Sequence, residues 1–87
     1  MRITDIKIKV VKKDEKVKGI VDIILDNEFC VHGIKILENQ KGLFIAFPFK
    51  IDKKGKYKDL VHPIKTETRE KIQNAILTEY KEISNQG

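Results

Sequence analysis

Ile6, Ile8 and Val10 alternate with Asp5, Lys7 and Lys9, and a period of two predicts a strand with one buried face. A polar turn spans Lys12 to Lys16. Beyond it, Val17, Gly19, Val21, Ile23 and Leu25 share one face of a second strand, with Lys18 and Asp22 on the other. Ile20 and Ile24 interrupt that polar face, which implies that part of it is covered. Asp26-Asn27-Glu28 predicts a tight turn, joining the second strand as a hairpin to a third at Phe29 to Leu37. Glu38 to Gly42 is another turn, where Gly42 is free to take positive φ. Leu43 to Phe47 is an unbroken apolar run ending at Pro48. It is too short for a helix and suits a buried strand, with Pro48 at a strand end or edge because it has no amide donor. Lys50 to Lys56 reads as a polar, glycine-containing loop, Tyr57 to Val61 as a short fifth strand, and Pro63 as the break between sheet and helix.

The period changes after Pro63. Ile72, Ala75, Ile76, Tyr80 and Ile83 recur at helical spacing, and Leu77 widens the stripe. Thr66 is the predicted N-cap, Glu67 sits where the helix dipole favours an acid, and Glu67 and Lys71 form an i,i+4 pair. The pattern predicts an α+β fold: a small antiparallel sheet of about five strands with a C-terminal helix packed on one face. It predicts one domain over residues 1–84, with residues 85–87 as a frayed C-terminus. No repeat or linker divides it.

Composition adds constraints. The chain has 87 residues, 40% of them hydrophobic, which is a thin core for a self-sufficient domain. A small meander also leaves sheet edges open, and proteins cover, charge or pair such edges. Both features predict a homodimer. No apolar run approaches the roughly 18 residues of a membrane span, and no apolar stretch after Arg2 resembles a signal peptide. A single cysteine, Cys30, cannot close an internal disulfide, so the expected location is cytoplasmic.

The net charge of +5 is unevenly placed. Residues 1–49 carry nine basic and seven acidic groups, and residues 66–87 carry three and four. Residues 50–65 carry six lysines against Asp52 and Asp59, so most of the excess lies in 16 positions. Such a patch attracts polyanions; it would equally serve as a solubilising surface.

Little else offers chemistry. His32 alternates with Val31 and Gly33 as a structural or surface histidine does, and His62 is placed to hydrogen-bond a backbone group near the helix start. Cys30, between Phe29 and Val31, reads as buried packing, since a reactive thiol needs an electropositive, exposed site. One cysteine and two separated histidines make no recognisable zinc spacing, and Gly42 and Gly55 belong to no phosphate loop. The sequence therefore predicts no catalytic residue, no metal, no cofactor and no small-molecule substrate. What remains is the projecting lysine segment, whose cations can reach phosphates without base-specific geometry. The candidate nucleic-acid contacts are Lys50, Lys53, Lys54, Lys56 and Lys58, joined by Arg69 near the helix start. Tyr57 could stack on an unpaired base, but its alternation with Lys56 and Lys58 at a strand start predicts a core role. Glu67, Glu70, Glu79 and Glu82 make the helix itself a poor polyanion surface.

Several blocks resemble the SpoVG family of bacterial septation and sporulation regulators. They are Ile3-Thr4-Asp5-Ile6, Leu25-Asp26-Asn27-Glu28-Phe29, Gly42-Leu43-Phe44-Ile45-Ala46-Phe47-Pro48, Lys58-Asp59-Leu60-Val61-His62-Pro63-Ile64 and Thr68-Arg69-Glu70-Lys71-Ile72-Gln73. They occur in order, without a large gap, over residues 1 to about 80. The resemblance implies a compact α+β domain that dimerises through its sheet, binds DNA and RNA, and affects gene expression, cell division and developmental programmes including sporulation. In the family the proline-ended strand usually runs into Ser-Lys-Arg or a similar basic pair linked to nucleic-acid contact. Here Lys50 is kept, Phe49 replaces the small polar residue and Ile51 replaces the second basic one, so the arginine fork is missing. Many relatives carry an acidic tail after the helix, which this chain is expected to lack. The competing expectation is a protein-interaction module of the division machinery without direct nucleic-acid binding.

Overall fold

The computed structural model describes residues 2–11 and 16–86; the expected polar turn at Lys12 to Lys16 lies mostly outside the described residues, as does Gly87. Four strands form an antiparallel meander in the order β1-β2-β3-β4: β1 Ile3–Val10, β2 Val17–Leu25, β3 Phe29–Asn39 and β4 Gly42–Ala46. Two three-residue strands, β5 Phe49–Ile51 and β6 Tyr57–Asp59, form a separate antiparallel hairpin. Helix α1 spans Thr66–Gln86. The expected α+β class with one C-terminal helix is the observed one. The difference is the division of the strands into two sheets, because the segment read as a loop from Lys50 begins with a paired strand.

The β2–β3 hairpin turns through Asp26 and Asn27, at φ 52° and 55°, and Glu28 N donates to Leu25 O at 2.9 Å. Two successive left-handed residues make a type I′ turn, whose twist matches that of its strands. Thr4 ties β1 to this corner, its hydroxyl donating to Ile24 O at 3.1 Å and accepting from Asn27 N at 3.0 Å.

The turn fixes the register: Ile23 opposes Val31 and Ile24 opposes Cys30. Opposed residues share a sheet face, so with Ile23 and Val31 buried, Cys30 turns outward and is exposed. The expectation that Cys30 packs in the core is thereby overturned. Further along β3 the alternation changes phase. Val31 and Ile34 both point inward although three positions apart, because a bulge lies at Gly33, at φ 81°. Asp22 on β2 faces it, accepting from Gly33 N at 3.4 Å and lying 3.2 Å from His32 Nδ1.

The core lies between the sheet and the helix. Val21, Ile23, Leu25, Val31, Ile34, Ile36, Ile45 and Phe47 meet Ile72 and Ile76 of α1, with Leu77 and Tyr80 packed at its margin. The helix contacts β1 and β4, the two outer strands. Its first bond runs from Arg69 N to Lys65 O at 3.1 Å. Lys65 therefore occupies the capping position predicted for Thr66, which is already helical.

Candidate nucleic-acid interface

The β5–β6 hairpin pairs Phe49 with Asp59, Lys50 with Lys58, and Ile51 with Tyr57. Lys50 and Lys58 are both exposed and stand directly opposite on one face of the ribbon. Like charges in that position are mutually destabilising, so the pair favours a bound anion. The turn beyond them is closed by Asp52. Its Oδ1 accepts from Lys54 N and Lys56 N, each at 2.9 Å. Its carbonyl accepts from Gly55 N at 3.0 Å, and its own N–H donates to Lys56 O at 2.9 Å. Gly55, at φ 81°, takes the left-handed position that such a three-residue turn requires. The carboxylate is thus committed to backbone amides, and the side chains of Lys53, Lys54 and Lys56 project into solvent from a fixed backbone.

The other face of the ribbon carries Phe49, Ile51, Tyr57 and Asp59. Phe49 and Tyr57 meet edge to face with centroids 5.1 Å apart and an interplanar angle of 69°, and Lys35 Nζ of β3 lies 5.5 Å from the Phe49 centroid. This contact joins the hairpin to the main sheet, while the bond from Leu60 N to Pro48 O at 2.7 Å extends the hairpin's own ladder. Two short strands alone are marginal in water. Tyr57 itself is 70% exposed, which overturns its expected core role: the hairpin lies outside the main sheet, so strand alternation there does not lead to the core.

Arg69 stands on the first turn of α1 with its guanidinium 5.3 Å from the centroid of buried Phe47. Beside it opens an apolar cleft of about 280 Å³, lined by Phe29, Val31, Phe47, Val61, Pro63 and Ile72 among others. His62 Nδ1 lies 3.1 Å from Pro63 O, the backbone role expected of it. Cys30 Sγ lies 3.8 Å from His32 Nδ1 on the outer sheet face. Among the described residues no three His, Cys, Asp or Glu side chains converge as metal ligands would, and no helix is long and apolar enough to cross a membrane.

A model of the SpoVG family matches residues 1–82. The chain belongs to the SpoVG family. A relative in Agathobacter rectalis is 54% identical over 86 residues, covering 98% of this chain and 99% of its own length. One in Clostridium acetobutylicum is 51% identical over 86 residues, covering 99% and 90%. One in Clostridium perfringens is 49% identical over 85 residues, covering 98% and 94%. All three bear the name "Putative septation protein SpoVG".

Within this SpoVG-family chain, five of the six cations singled out from sequence, Lys50, Lys53, Lys54, Lys56 and Lys58, stand on one hairpin. Arg69 belongs to another element and spends one face on Phe47. Lys35 is the cation that the sequence reading missed. Its signal was available, since it lies between buried Ile34 and Ile36 and must point to the outer face.

Proposed function

We propose that this chain is a nucleic-acid-binding regulator without catalytic activity of its own, acting in the cytoplasm on bacterial gene expression during septation and sporulation. The observation that carries this reading is the lysine hairpin: Lys50 opposed to Lys58, with Lys53, Lys54 and Lys56 on a turn held by Asp52. Exposed cations on a backbone fixed in advance suit phosphates, whose contacts position a ligand without reading its sequence. The names of the relatives supply septation. DNA and RNA are both ligands of this reading, because lysine charge does not discriminate between them. The test is filter binding of single-stranded and duplex oligonucleotides across a salt series, with saturable, salt-sensitive binding as the expected result. Absence of binding at low salt would overturn the reading.

The functional unit in this proposal is a homodimer, which presents the hairpin twice to one strand. Support comes from the outer strands β1 and β4 of the four-stranded sheet, whose edges invite pairing with a second copy. Sedimentation at micromolar concentration should give twice 10.1 kDa; a clean monomer would contradict it.

A second reading, a protein-interaction module of the division machinery, is favoured by the apolar cleft and the exposed Phe29, Leu60, Val61 and Ile64 near it in fold or sequence. On that reading the lysines only solubilise, and nucleic-acid binding is absent or independent of them.

A further inference from the structure

We infer that Tyr57 is a base-stacking platform, and that the preferred ligand of the lysine hairpin is nucleic acid with unpaired bases. The inference rests on the proposed nucleic-acid reading and extends it from charge to the form of the ligand. Tyr57 is 70% exposed at the start of a strand, so most of its surface is left unpacked. Its aromatic neighbour among the described residues, Phe49, meets it at 69°, and an edge-to-face contact engages at most one of the two faces of Tyr57. Phe49 leaves the other face to a flat partner, consistent with the high exposure of the residue, while the contact with Phe49 limits the ring's freedom and lowers the entropy cost of stacking.

The surroundings match a base attached to a phosphodiester. Lys56 and Lys58 flank Tyr57 in sequence, Lys35 stands over Phe49 on the side of the ribbon that carries Tyr57, and Lys50 and Lys58 form the other face. Ile51, directly opposite Tyr57 and 58% exposed, extends the apolar ledge beside the ring. Cations alternating with an open aromatic face are the combination that single-strand binders use, and duplex DNA, whose bases are already stacked, cannot exploit the ring.

The chain contains two tyrosines and no tryptophan. In a Tyr80→Phe variant all tyrosine emission therefore comes from Tyr57, and stacking should quench it. The experiment titrates this variant with single-stranded oligothymidylate and with the oligothymidylate–oligodeoxyadenylate duplex, alongside binding by Tyr57→Phe, Tyr57→Leu and Tyr57→Ala. Saturable quenching with the single strand is expected. Tyr57→Phe should keep its affinity, whereas Tyr57→Ala and Tyr57→Leu should lose about 5- to 150-fold on the single strand, the equivalent of ~1–3 kcal/mol per stacked base. Duplex binding should change little in all of them. Unquenched emission from a bound complex would overturn the platform while leaving the lysine reading intact. So would rescue by Tyr57→Leu, equal losses on both ligands, or dissociation of a dimer by Tyr57→Ala, which would mean that a second copy covers the ring. If neither ligand binds the wild-type chain, the nucleic-acid reading fails and the platform fails with it.

Discussion

Lys50 lies directly opposite Lys58 across the β5–β6 ladder, with no acidic residue between them in the pairing. A pair of this kind costs folding stability, because cross-strand partners sit close enough to repel. Lys58→Glu turns repulsion into attraction, and should stabilise the hairpin by ~0.2–1 kcal/mol. On the proposed reading the same change removes a phosphate contact and adds a like charge facing the ligand, so nucleic-acid binding should weaken. Thermal unfolding and filter binding together check this: Tm up, affinity down. A variant that gains stability with unaltered binding would show that the pair does not face the ligand.

Asp52 gives a second handle on the same hairpin. Its Oδ1 accepts two backbone N–H groups, from Lys54 and Lys56, each bond being worth ~0.5–1.5 kcal/mol when fully formed. Asp52→Ala should cost about 1 kcal/mol because the bonds are partly solvent-exposed. It should raise amide exchange in residues 53–56 and lower affinity, although it makes the chain more basic. Asp52→Asn keeps the acceptor and should lose much less of the protection. If added charge alone governed binding, both variants would bind more tightly than wild type.

The core prediction is independent of function. Ile76 is fully buried between sheet and helix, so Ile76→Ala should cost roughly 2–5 kcal/mol. A denaturant melt measures it, and an unchanged midpoint would mean that the helix does not pack through this stripe.

The stripe and the alternating strands were legible because burial on one face imposes a period, and a period survives in sequence. Ile72, Ile76 and the inward face of β2 were readable for that reason. Three features were not. The bulge at Gly33 resets the alternation within β3, and a glycine between His32 and Ile34 looks like any other strand position. Cys30 lies in the continuous apolar triplet Phe29-Cys30-Val31, so its direction depends on its pairing with Ile24. Tyr57 alternates as a core residue would, but its short hairpin is held to the main sheet through Phe49 and Lys35 and leaves the phenol outside. The lysines themselves were evident from charge. Their opposition across the ladder required the register.

The measurement closest to the central claim is the slope of log Kobs against log salt concentration, for wild type and for Lys53→Ala/Lys54→Ala. Both lysines are exposed on the turn that Asp52 closes, and each phosphate contact contributes about −0.9 to the slope on duplex DNA. The double variant should bind more weakly, with a slope flatter by up to about 1.8 per bound protomer on duplex. Its order of preference among oligonucleotide sequences should be unchanged, because lysine contacts to phosphate carry no base information. Parallel lines for the two proteins would contradict the account and place the nucleic acid, if bound at all, away from the hairpin.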